Sequence, residues 1–171
     1  MNRVLFKEEQ KFRQLWILMI FIVSTGFWLY ILLQHVIADD AFTKEPGTAW
    51  MTAIAGIIPL LFIILFIRLK LTTVVDREGI RCRFAIFQRS YRTFRKKDII
   101  HYEIRKYKPI AEYGGWGIRV GRGKRGSAYN VSGNMGLQLQ LADGKKFLIG
   151  TQQPESLLKA MDRMMEKAIA Q

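Results

Sequence analysis

AWMTAIAGIIPLLFIILFIRLKLTTVVDREGIRCRF, residues 49–84, changes its period halfway along. Residues 49–67 are 19 apolar or small residues with no charge, and from Arg68 onward apolar and polar residues alternate. A continuous apolar run of that length reads as a helix able to cross a bilayer, and strict alternation reads as half-buried strands. The boundary between a membrane part and a water-exposed part therefore falls within a few residues of Arg68.

Working towards the N-terminus, residues 15–38 form a second uncharged run, LWILMIFIVSTGFWLYILLQHVIA. It is too long for the apolar core of a signal peptide and no A-x-A site follows Val36. Only residues 39–48 separate the runs, so the expected arrangement over 15–67 is a transmembrane hairpin with an external loop. Arg3, Lys7, Lys11 and Arg13 precede the first run and Arg68 and Lys70 follow the second, whereas the loop carries Asp39, Asp40 and Glu45 against Lys44. By the positive-inside rule residues 1–14 are a basic cytoplasmic N-terminus and both termini are cytoplasmic, so a multi-pass membrane protein is expected. Thr52, Gly56, Ala49 and Ala53 supply small residues for close helix packing. His35, near the outer end of the first run, has no midplane acid or base to work with.

Towards the C-terminus, residues 68–171 hold 22 basic and 9 acidic groups, which accounts for the whole net charge of +13. Ile80, Cys82, Phe84 and Ile86 alternate with Arg81 and Arg83; Ile100, Tyr102 and Ile104 alternate with His101, Glu103 and Arg105. Ile118 and Val120, Tyr129 and Val131, and Leu137, Leu139 and Leu141 continue the pattern, and Asp143-Gly144 is a two-residue hairpin turn. That gives about seven antiparallel strands. Residues 154–170 follow as a helix, with Pro154 in its first turn and Leu157, Met161, Met164 and Ala168 on one stripe. The fold class expected is an N-terminal two-helix transmembrane hairpin plus a mainly-β barrel of the pleckstrin-homology-like order, closed by a C-terminal helix. Residues 71–171 are expected to fold without the membrane helices.

GGWGIR at 114–119, AYNVSGNMGLQLQLADGKKFLIGTQQPESL at 128–157 and the paired apolar runs before them resemble small bacterial membrane proteins with a bacterial PH-like domain. The resemblance covers nearly the whole chain. It implies the fold and the membrane location, and no catalytic residues.

Several chemistries are excluded or unsupported by composition. One cysteine, Cys82, rules out an intramolecular disulfide and a cysteine-based zinc cluster, and two histidines rule out a His-rich metal motif. Gly121 to Gly126 matches G-x-G-x-x-G, but a strand pattern follows where a dinucleotide site needs a helix. No hydrolase, metalloprotease or Walker motif is present, and no cofactor is expected.

What remains is a basic surface in three groups: Arg89, Arg92, Arg95, Lys96 and Lys97; Arg105, Lys106 and Lys108; and Arg122, Lys124 and Arg125. Close to an anionic cytoplasmic leaflet each Lys or Arg is worth about 1 kcal/mol, within a Debye length of roughly 8 to 10 Å. These residues are candidates for contact with anionic lipid headgroups. The expected function is a non-enzymatic, membrane-anchored binding or assembly module. The alternative is an accessory subunit of a transport or envelope complex whose domain binds a protein partner, with a homo-oligomer possible in either case. A membrane enzyme would need a pocket with converging polar groups, and nucleic acid is disfavoured as a partner.

Overall fold

The N-terminal segment FKEEQK buries every second side chain, and it does so with Phe6, Glu8 and Gln10. It forms strand β1 (Phe6–Lys11), paired antiparallel to β2 (Lys70–Val75) in a register that sets Lys11 opposite Lys70 and Phe6 opposite Val75. The structure is a computed structural model that describes residues 3–12, 15–37, 46–120 and 126–166. Residues 3–12 are thus no free basic tail, and the chain divides into one unit of residues 1–12 and 69–171 and another of residues 13–68. A fragment of residues 71–171 lacks an entire strand of the first unit.

In the helical unit, α1 (Leu15–Ile37) and α2 (Pro46–Arg68) pack antiparallel. Phe21 stacks on Phe62 with ring centroids 5.4 Å apart, and a Cβ on Gly56 would fall 1.8 Å from the Trp28 ring. Gly56 is therefore the small residue that lets the helices approach. Among the described residues α1 alone is long and apolar enough to cross a membrane, over Leu15–Gln34; the apolar part of α2, Ile54–Arg68, is shorter. The expected two-span hairpin is corrected to one candidate span. The side chain of His35 and the loop at 39–45 lie outside the described residues.

The other unit holds two sheets. The first has the order β1-β2-β3-β4, with β3 (Gly79–Phe84) and β4 (Arg92–Arg95). A short 3-10 turn at Lys96–Asp98 then carries the chain out of it. The second sheet has the order β5-β8-β9-β7-β6, from β5 (Ile99–Lys106), β6 (Gly117–Arg119), β7 (Ser127–Asn130), β8 (Met135–Leu141) and β9 (Lys146–Gly150). Helix α3 (Pro109–Tyr113) follows β5, and α4 (Pro154–Glu166) ends the described chain. Both sheets are open: among the described residues no ladder joins β4 to β5 or closes the remaining edges, because the turn at 96–98 passes the chain between sheets without pairing. The closed barrel of about seven antiparallel strands is corrected to nine strands in two sheets, with β7 and β9 parallel.

The core lies between the sheets under α4. Leu71, Val75, Ile80, Cys82, Phe84 and Phe94 meet Tyr129, Leu137, Leu139, Phe147, Leu157, Met161 and Met164. Burying each such side chain stabilises by roughly 1.5–3 kcal/mol. Cys82 is fully buried, and desolvation pushes its thiol from 9.0 up to about 12. Three alternations break off: Ile86 follows the end of β3, Ile100 sits at a bulge between Ile99 and His101, and Val120 follows the end of β6, and all three side chains are exposed.

Candidate anion-binding surface

Strand geometry splits the longest basic segment in two. The first sheet has one end where the chain passes to and from the helices, at Phe12 and Leu69, and another at the Asp76–Gly79 turn. Five residue steps along β3 separate them, roughly 17 Å at about 3.3 Å per residue. That exceeds a Debye length, so charges at the extreme ends are screened from each other at physiological salt, whereas Arg92 and Arg95, three steps apart on β4, are separated by roughly 10 Å, about one Debye length.

At the junction end stand Lys11 and Lys70, opposite each other in register; Arg83 faces outward opposite Thr72, Arg89 lies in the connection between β3 and β4, and Arg92, opposite Cys82, stands midway between the two ends. Lys70 bridges to Glu9 at 3.1 Å and Lys7 does so at 3.2 Å. Hydrogen bonds from Lys70 and then Lys7 hold the Glu9 carboxyl below its usual range. Arg92 shares the inner row of the sheet with Cys82, and its guanidinium lies 4.5 Å from the centre of the Phe147 ring and 5.5 Å from that of Phe94. It lies over the edge of the core while remaining exposed. Arg83 lies 4.7 Å over the ring of Tyr91.

At the turn end Arg95, Lys96 and Lys97 line an open cleft of about 880 Å³ together with Arg77 and Arg81. Asp76 builds this end: one carboxylate oxygen accepts from the backbone N–H groups of Glu78 at 2.9 Å and Gly79 at 3.1 Å, and the other pairs with Arg81. A Cβ on Gly79 would lie 2.1 Å from the Phe94 carbonyl, so only glycine lets β4 approach here. Arg77 and Arg81 were not among the sequence candidates. Their signal was available, since Arg81 faces outward on β3 and the ladder places it opposite Thr93, two positions before Arg95.

The second basic group is mostly committed elsewhere. Arg105 donates to Gln138 Oε1 from Nε at 3.1 Å and from a terminal nitrogen at 3.0 Å, donates to the Tyr113 hydroxyl at 3.1 Å, and pairs with Glu112 at 2.9 Å. It docks α3 on the second sheet. Lys106 and Lys108 are exposed beside a cleft of about 720 Å³ next to α3 and Trp116. Arg122, Lys124 and Arg125 lie outside the described residues. Among the described residues no three His, Cys, Asp or Glu side chains converge on a metal-sized site. The chain matches no family model, no curated protein and no solved structure.

Proposed function

We propose that this chain is a non-enzymatic, membrane-anchored binding module whose sheet domain is held against the anionic cytoplasmic leaflet of a bacterial inner membrane. The observation that carries the reading is the junction end: Lys11 and Lys70 lie opposite each other where Phe12 leaves the domain, three residues before α1 begins, and the β3–β4 connection with Arg89 is bonded to Lys70 through Ala85. Three residues of chain reach at most about 11 Å, so Phe12 and the neighbouring Lys11 stay close to a membrane that α1 enters. The cytoplasmic side follows from the four basic residues ahead of α1.

A second reading, an accessory subunit that docks a protein through this domain, is favoured by the turn-end cleft, whose Arg77, Arg95, Lys96 and Lys97 suit an acidic partner beyond the lipid's reach. Hydrogen exchange of the full chain in nanodiscs separates the two. Phosphatidylglycerol should slow exchange over residues 83–92 relative to phosphatidylcholine alone, salt should reverse the effect, and residues 95–97 should not respond. Replacing Arg89 and Arg92 with glutamine should remove the lipid-charge dependence. Indifference of residues 83–92 to lipid charge at low salt would overturn the leaflet reading in favour of the protein partner.

A further inference from the structure

Between β3 and β4 the chain reads AIFQRSY, and its tip places two large apolar side chains side by side in water: Ile86 is 53% exposed and Phe87 59%. The other large exposed apolar side chains of this unit, such as Ile100, Ile110 and Val120, stand singly, which is ordinary for a protein surface. Ile86 has φ +79°, and among the described residues it is the only non-glycine residue with positive φ. A β-branched residue pays strain there that glycine would not, so the fold holds a bulky apolar group at a place where backbone geometry argues against one.

The loop is preorganised. Ala85 N–H donates to the Lys70 carbonyl at 2.8 Å, Gln88 N–H donates to the Phe84 carbonyl at 3.1 Å, and the Gln88 side chain accepts from Phe84 N–H and donates to the Tyr129 hydroxyl. The bond to Lys70 fixes the loop at the junction end, beside the chain that leads to α1. Arg83 precedes the tip on the outer row of β3 with Tyr91 under its guanidinium, and Arg89 and Arg92 follow the tip in the chain. An apolar point, flanking cations and an amphipathic aromatic ring are the groups that suit acyl chains, phosphates and the interface between them.

We propose that residues 85–91 form a wedge that inserts Ile86 and Phe87 into the acyl boundary of an anionic bilayer while Arg83, Arg89 and Arg92 contact headgroup phosphates. The proposal rests on the leaflet reading above and adds insertion to adhesion. It commits the tip to lipid over a protein groove because the residues flanking it in the chain are cationic and the loop is bonded to Lys70, at the end of the domain from which the chain leaves for an apolar helix.

The test uses the full chain in nanodiscs, with a polarity-sensitive fluorophore on Phe87→Cys and, as the control, on Lys97→Cys at the turn end. The native Cys82 is fully buried and stays unlabelled in the folded protein. In discs containing phosphatidylglycerol the Phe87→Cys probe should shift to the blue, be quenched by nitroxides on the acyl chains and resist aqueous iodide, and the Lys97→Cys probe should show none of these. The shift should persist at salt concentrations that weaken simple adhesion. Ile86→Gly should leave the domain at least as stable and make the probe shallower, an opposition that a purely structural loop residue would not produce. A Phe87→Cys probe open to iodide in anionic discs overturns insertion. If residues 83–92 still show lipid-dependent hydrogen exchange in that case, adhesion survives without the wedge; if they do not, both readings fall.

Discussion

Glu8 offers a measurement of how firmly the N-terminal strand belongs to the domain. Its carboxylate is 4% exposed; it accepts from the Thr151 hydroxyl at 2.7 Å and from the Gln152 N–H at 2.8 Å. Thr151 Oγ1 in turn accepts from Gln153 N–H at 3.0 Å, immediately before α4. Glu8→Ala would leave the Thr151 hydroxyl and the Gln152 N–H without their acceptor. Hydrogen bonds to a charged group are worth roughly 1.5–3 kcal/mol each, and water can take up part of the loss at Gln152, whose side chain is exposed, so about 2–4 kcal/mol is expected. Glu8→Gln keeps one acceptor and should cost about half. The native thiol supplies the assay, because Cys82 reacts only when the core opens. At tenfold per 1.4 kcal/mol, Glu8→Ala should speed its labelling by roughly thirtyfold to several hundredfold. Acceleration below about tenfold would refute the view that β1 and the start of α4 are joined through this carboxylate.

The same thiol predicts alkaline instability. It ionises near 9.0 when unfolded and near 12 when folded, so folding is favoured fully below pH 9 and loses up to about 1.36 kcal/mol per pH unit from 9 towards 12. Cys82→Ala should flatten that slope relative to the native chain in denaturant melts from pH 8 to 10.5. Residues 71–171 alone should fail to unfold cooperatively, whereas joining residues 3–12 to 69–166 by a short glycine-serine linker should restore a sharp melt and dispersed proton NMR. Arg105→Ala should raise hydrogen exchange in α3 and cost about 1–3 kcal/mol while leaving lipid-charge dependence over residues 83–92 unchanged. An equal loss of that dependence would return Arg105 to the lipid surface.

Much of the core was legible because it depends on local alternation. Cys82, Tyr129, Val131, Leu137 and Leu139, and Leu157, Met161 and Met164 at helical spacing, are buried as their periods require. Strand β1 was invisible for a specific reason: two of its three buried side chains are Glu8 and Gln10, and a buried polar face looks solvated until its partners, Thr151 and the Gly150 carbonyl, are known. Ile86, Ile100 and Val120 misled because an alternating pattern does not reveal where a strand ends or bulges. Openness of the sheets is likewise a property of edges, which no local run encodes. At the candidate surface, sequence sees only equal positive charges. What separates Arg92, Arg105 and Arg95 is a ring 55 positions along, an amide 33 positions along, and the direction of a strand.

The pairing of Lys11 with Lys70 also fixes an order of events during synthesis. The first strand to leave the ribosome must wait for a partner 59 positions later, and closing so long a flexible loop costs roughly 3–4 kcal/mol of chain entropy. Helices that meet through Phe21 and Phe62, and through Gly56 and Trp28, shorten the effective loop between those strands. A bulky residue at position 56, by parting the helices, would lengthen that effective loop and is expected to slow the pairing of β1 with β2.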